Sequence, residues 1–190
     1  VQATFGRHEA PVVFVPGLRP NEALVLISGI IPNRLGHPLV LRWVGVQFRD
    51  GRCIKNLDLE QSLELCGLKS DELVNHTSPN SQRCLALQAL LPLALAEAKI
   101  SIETARKETL EQNKVKLFEQ EKRLEALLAR HDAQLELSFM SGLQQVNAAR
   151  KEDRRQQIRR AFEAHKQWLR DAHNIEENAH FTILSVCTGA

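Results

Sequence analysis

The 190 residues contain no tyrosine, no Cys-x-x-Cys pair and no glycine-rich turn leading into Lys and Ser or Thr. The last absence excludes a phosphate-loop nucleotide site, which needs consecutive backbone N–H groups and a lysine around the phosphates. No Gly-x-Ser-x-Gly elbow is present either, so serine hydrolase chemistry of that type is excluded. Cys53, Cys66, Cys84 and Cys187 lie far apart in or beside apolar runs, which predicts buried reduced thiols and a cytoplasmic protein, not a disulfide framework or a metal site. The N-terminus lacks the basic, apolar, small-residue order of a signal peptide, and no run of about 18 apolar residues is read in the chain, so no membrane partner is expected. The chain starts at Val1, close to a strand-like run, as a piece excised from a longer protein would.

What is present suits a folded chain, since 43% of the residues are apolar. Charged residues nearly cancel at a formal +2 but are unevenly placed. Residues 97–136 carry eight Lys or Arg against nine Asp or Glu, whereas 150–170 carry eight against three. No polyelectrolyte tail therefore dictates the partner, and one helical segment is near neutral while the other is strongly basic.

Val12–Val15, Ala23–Ile31 and Leu39–Phe48 read as strands, being rich in β-branched and aliphatic residues and bounded by Pro16-Gly17, Pro20-Asn21, Pro32-Asn33 and Asp50-Gly51. Asp50-Gly51 suits a hairpin into Cys53-Ile54. Both faces of the Leu39 strand are largely apolar, which predicts a central strand covered on both sides. A short helix then ends at Gly67, a second starts near Ser70, Asn75–Asn80 forms a loop, and a further helix runs from Ser81 to Leu91, with Pro92 kinking or restarting it.

From Leu93 to Phe139 there is neither Pro nor Gly, enough for a helix of roughly 70 Å. Leu110, Leu117 and Leu124 repeat every seven residues, and Leu128 and Leu135 continue the seam, with Lys114 and Glu121 interrupting it. A tip is expected at Ser138–Gly142, followed by a second helix to about Asn178 with Ile158, Ala161, Phe162, His165, Leu169 and Ala172 on one stripe. Folding back would set Ile158 near Leu124 and His165 near Leu117, an antiparallel pair. Phe181–Cys187 reads as a last strand returning to the N-terminal sheet. The expected fold class is thus α+β: a small mixed sheet base with short helices over 1–92, an antiparallel coiled-coil hairpin over 93–178, and a returning strand over 179–190.

Among polar clusters, His173, Glu176, Glu177 and His180 place a Glu three residues before a His, a spacing that can present two metal ligands on one helix face. The second such pair that a di-metal site requires is absent, so a solvated helix end is expected, with no metal and no cofactor. His131 and His165 fall on or near the seam, and Trp43 and Trp168 are read as packing residues. Arg155, Arg159, Lys166 and Arg170 lie within about 60° of one another on a helix, flanking the apolar stripe, and form the candidate nucleic-acid-binding strip. The opposing reading is interhelical ion pairing with Glu103, Glu108, Glu111, Glu119 and Glu125.

Pro32-Asn33-Arg34 followed by Gly36-His37-Pro38-Leu39-Val40, the Arg- and Glu-rich helical pair, and the closing strand Phe181–Gly189 together resemble the extreme C-terminal region of bacterial Snf2-type helicase-like ATPases. That group includes large enzymes associated with phage defence and, more distantly, the ATPase that recycles RNA polymerase. The resemblance covers most of the chain. It implies an accessory module without ATPase activity whose base docks on upstream motor domains of the same chain, while the hairpin reaches DNA, RNA or a protein partner. No catalytic residue of the family can be placed on this sequence. A stand-alone coiled-coil interaction or scaffold protein is the other reading, and an enzyme using the base as a binding domain is a third.

Overall fold

The computed structural model describes residues 10–67, 81–139 and 144–189, so the expected helix at Ser70, the loop at Asn75–Asn80 and most of the hairpin tip lie outside the described residues. Five strands, β1 (Val12–Phe14), β2 (Glu22–Pro32), β3 (Pro38–Arg49), β4 (Arg52–Leu57) and β5 (His180–Thr188), form one mixed sheet in the order β1-β5-β2-β3-β4. Four helices accompany them: α1 (Leu59–Leu65), α2 (Ser81–Gln88), α3 (Leu91–Phe139) and α4 (Gln144–His173). The fold is α+β, with a C-terminal strand in the sheet and an antiparallel helical hairpin. The chain divides into a sheet unit (Val1–Ile31, Pro38–Lys107, Glu177–Ala190) and a hairpin unit (Pro32–His37, Glu108–Glu176), so the division falls inside α3 and not at its start.

In the sheet unit, β2 is apolar on both faces because both are covered. Ala23, Val25 and Ile27 join Val44, Val46 and Phe48 of β3, and Val186 of β5, beneath Leu87 of α2 and Ala94 and Ala98 of α3. Leu24 and Leu26 face the other way, towards Val15, Leu18, Leu57, Cys66 and Cys187. β5 runs antiparallel to β2, with Leu24 opposite Cys187 and Gly29 opposite Phe181, and a bulge interrupts the register between Leu26 and Ile27. On its other side β5 pairs parallel with β1, Val12 opposite Val186 and Phe14 opposite Thr188. The Asp50-Gly51 turn closes β3 onto β4 with both residues at positive φ (51° and 77°), the type I′ geometry that follows the right-handed twist of the strands.

β3 departs from expectation. It is interior in the sheet, but Leu41 and Trp43 are exposed, and burial on both sides is reached only from Val44 onward. The reason is the length of α1, seven residues, which covers only the end of that face around Gly45. There a Cβ would collide with the Ser62 hydroxyl, so the helix reaches the sheet only because position 45 has no side chain. Asp58 caps α1 by accepting from the Gln61 N–H at 2.8 Å, and Gln61 reciprocates as a capping box. Gly67, at φ +69°, ends that segment as its position predicts.

By length and composition the helical stretch Gln82–Leu137 contains a window apolar enough to cross a membrane, with mean hydropathy 1.5, although no such run was expected from the sequence. Leu87, Ala94, Ala98 and Ile102 within it are buried, the pattern of a helix packed by one side on a core. Of the four thiols, all free, Cys66 and Cys187 are buried as expected, Cys84 is half-buried, and Cys53 is exposed on β4.

Glu22 is a buried carboxylate at the start of β2. It accepts the Arg19 N–H (3.1 Å) and two guanidinium N–H groups of Arg49 (2.8 and 2.6 Å). The Arg19 backbone bond, then the Arg49 side chain, hold its pKa below the ordinary 4.5. A depressed carboxylate contributes stability that is present above its unfolded pKa and lost as pH falls through the folded value. Glu22→Gln is therefore expected to destabilise the sheet unit by about 1–2 kcal/mol at pH 7. The gap between variant and parent should narrow as pH falls below the ordinary carboxylate value of 4.5 and on through the lower value of folded Glu22. Denaturant unfolding at several pH values checks this, and a constant gap down to about pH 3 would contradict it.

Candidate nucleic-acid interface

The hairpin unit rests on a seam between α3 and α4. On α3 the stripe runs through half-buried or buried positions 110, 113, 117, 121, 124, 128, 132 and 135, with 109 and 120 half-buried beside it; on α4 it runs through 151, 155, 158, 162, 166, 169 and 173, with 171 and 172 half-buried beside it. Both series step by three or four residues and repeat every eleven, so the packing period is 3.67 residues per turn instead of the heptad suggested by Leu110, Leu117 and Leu124. Charged residues enter the inner stripe at every repeat. Glu121 and Asp132 come from α3, and Lys151, Arg155 and Lys166 from α4.

These charges meet across the seam. Lys166 donates to Glu125 at 2.9 Å, Arg170 to Glu121 at 2.8 Å and Lys151 to Glu136 at 2.5 Å. Arg155 lies 3.7 Å from Asp132 and also bonds Glu136, and Arg159 lies 3.7 Å from Asp132. The partners run in opposite order along the two helices, as an antiparallel pair requires. A plain fold-back would set Glu121 level with Ala161, yet its partner is Arg170, farther from the tip. Helical side chains tilt towards their own N-terminus, away from the tip on α3 and towards it on α4, so contacts join residues that are not level. His131 against Phe162, with ring centroids 5.9 Å apart, is offset in the same sense.

Each residue of the strip Arg155, Arg159, Lys166 and Arg170 thus faces an acid of α3. Arg155 and Lys166 lie in the stripe, not beside it. Lys166 has its pKa raised, chiefly by the hydrogen bond to Glu125, which holds it charged. A phosphate would have to displace these carboxylates.

The other flank of the seam differs. At 100° per residue, Lys116, Arg123 and Arg130 of α3 and Arg150 and Arg154 of α4 project on the side away from the ion pairs. All five are exposed, and among the described residues none has an ion pair. Glu119, three residues from Lys116 and four from Arg123, and Asp153, three residues from Arg150, are acids that border them. The same flank of α4 carries His165 and Trp168, stacked with centroids 5.6 Å apart and planes at 16°. Trp168 is 51% exposed, contrary to its expected place in the packing, because its position lies outside the eleven-residue series. The placement of Arg150, Arg154 and Trp168 on one side of α4 was available to a helical-wheel projection, but the heptad assumption directed attention to the edge that carries the ion pairs.

In comparisons with family models, curated proteins and solved structures, nothing matches this chain.

The hairpin unit also includes the turn Pro32–His37. Asn33, buried, accepts the N–H of Leu35 (3.0 Å) and of His37 (2.8 Å) and donates to the Ala172 carbonyl at the end of α4 (2.8 Å). The Arg34 N–H bonds the Asn174 carbonyl, and the Glu176 N–H bonds the Pro32 carbonyl. The helix therefore ends at His173, and the spacing of His173, Glu176, Glu177 and His180 is not helical: His180 starts β5, and His173 turns its Nδ1 to the Leu169 carbonyl. Among the described residues no group of three His, Cys, Asp or Glu is placed to hold a metal.

Proposed function

We propose that this chain is a non-catalytic accessory module of a Snf2-like, helicase-type ATPase, and that its hairpin contacts single-stranded nucleic acid. The observation that carries the reading is the exposed basic flank of Lys116, Arg123, Arg130, Arg150 and Arg154 beside the Trp168–His165 stack. Cations in a row track phosphates, and an exposed aromatic face gives a base somewhere to stack without sequence preference. The attachment to a motor ATPase rests on the resemblance of the turn, hairpin and closing strand. A stand-alone coiled-coil scaffold is the second reading, favoured by Val115, Phe118 and Leu137, which are exposed on α3.

Two variants of the whole chain separate the roles of the two flanks. The variant R123Q/R130Q/R150Q/R154Q should lose binding to a fluorescent single-stranded oligonucleotide and keep its melting temperature. The variant R155Q/R159Q/K166Q/R170Q should keep binding and show a modestly lower melting temperature of the hairpin, since exposed pairs each contribute little. With about four phosphates neutralised, affinity of the parent should fall about 50-fold between about 50 and 200 mM salt. Equal loss of binding in both variants would return the interface to the ion-paired flank, and no binding by the parent at low salt would leave the scaffold reading.

A further inference from the structure

The sheet unit holds a pair of nucleophilic groups that the nucleic-acid reading does not use. Cys66 caps the C-terminal end of α1, and Cys187 lies in β5, opposite Leu24 of β2 on one side and Val13 of β1 on the other. The fold brings these distant positions together. Both are buried, at 0% and 2% exposure, in one core cluster with Val15, Leu18, Leu24 and Leu57. There the Cys66 thiol hydrogen-bonds the Cys187 sulfur.

A cysteine buried singly behaves as a small apolar residue, and its place in a core requires no second thiol. Two that touch are within reach of a disulfide after small side-chain rotations, because both backbones are already held. Cys187 is paired on both sides, and the Cys66 N–H bonds the Ser62 carbonyl at 3.1 Å. The surroundings also divide the two sulfurs by role. Ser185 Oγ lies 3.8 Å from Cys187 Sγ. The bond from Cys66 first, with Ser185 adding to it, holds the Cys187 thiol below the ordinary 9.0 against the opposing effect of burial. Cys66, which gives that bond and is itself desolvated, is raised. Cys187 is thus the sulfur that ionises and attacks, and Cys66 the one that resolves.

We propose that Cys66 and Cys187 form a reversible dithiol–disulfide switch, driven by peroxide, that fastens the end of α1 to β5. Cys187 Sγ attacks one oxygen of hydrogen peroxide, the O–O bond breaks, and the departing hydroxide takes up the thiol proton as water, leaving a sulfenic acid. Cys66 Sγ then attacks the Cys187 sulfur, the S–S bond forms, and the hydroxyl leaves with the Cys66 proton as a second water. The two sulfurs together lose the two electrons that reduce the peroxide. α1 has only seven residues, so brief release of its end admits the oxidant without global unfolding. The switch lies within the sheet unit and stands whether or not the hairpin binds nucleic acid.

The whole chain is treated with hydrogen peroxide under native conditions, free thiols are alkylated, and the trypsin digest is read by mass spectrometry. Peptides 56–69 and 171–190 should appear joined, and dithiothreitol should separate them. The joined protein should melt about 5 °C or more above the reduced one, since the bond closes a long loop. C53S/C84S, which leaves both core thiols in place, should give the same product and the same shift. C66A should leave Cys187 as a sulfenic acid that dimedone labels. Cys66 and Cys187 staying reduced while Cys53 and Cys84 oxidise, linkage of either core thiol to Cys53 or Cys84, or a joined protein that melts below the reduced one would overturn the proposal. So would a folded C66A protein without dimedone label at Cys187; if C66A does not fold, the C53S/C84S result decides.

Discussion

Removing residues 178–190 is expected to abolish cooperative folding of the sheet unit. β5 is not a peripheral addition. It sits between β1 and β2, so its loss leaves β1 without a partner and strips one edge of β2. Val186, Cys187 and Thr188 are almost fully buried, and Phe181 and Ile183 pack on the main core. At about 1.5–3 kcal/mol for each large apolar side chain, the lost burial is comparable to the whole stability of a small domain. The truncated chain should show no thermal transition from the sheet and no slow-exchanging amides in β2. Unchanged protection of Val25 and Ile27 in the truncated protein would show that β2, β3 and β4 are stable by themselves.

Asn33→Ala should be the most damaging single substitution in the hairpin unit, at about 2–4 kcal/mol. The carboxamide makes three hydrogen bonds to backbone groups, two inside the Pro32–His37 turn and one to the end of α4. Alanine leaves those groups partly buried and unpaired, and each such group costs about 1–3 kcal/mol. Asn33→Asp separates the two ends of the side chain. It keeps both acceptor bonds but loses the donor to Ala172 and places a negative charge at the negative end of a helix. Its stability should therefore lie below that of the parent at neutral pH and recover partly in acid, when the carboxyl protonates. Thermal melts of the three proteins check the order, and an Asn33→Ala protein within about 0.5 kcal/mol of the parent would mean that water replaces the bonds.

Local patterns made much of this visible in the amino-acid order. The apolar runs of β2 and β5, the Asp50-Gly51 hairpin, the stop at Gly67 and the long stretch free of Pro and Gly each depend on neighbours within a few residues, so the α+β class and the antiparallel helical pair could be read directly. The asymmetry of charge between the helices was visible as well, but of the acids read as partners of the basic strip Glu125 is the one that meets it, while Glu121, Asp132 and Glu136, which hold the other cations, were not named.

Three things were decided only by tertiary structure. Which edge of the basic helix is spent on ion pairs depends on the packing period and on the tilt of side chains on both helices. A shift from seven residues to eleven moves Arg155 and Lys166 into the seam and Trp168 out of it. The position of β5 between β1 and β2 depends on pairings between residues 150 or more positions apart, which no local pattern encodes. Asn33 reads in sequence as one more turn residue; its importance comes from the Ala172 carbonyl, 139 positions away, which the fold brings within 2.8 Å.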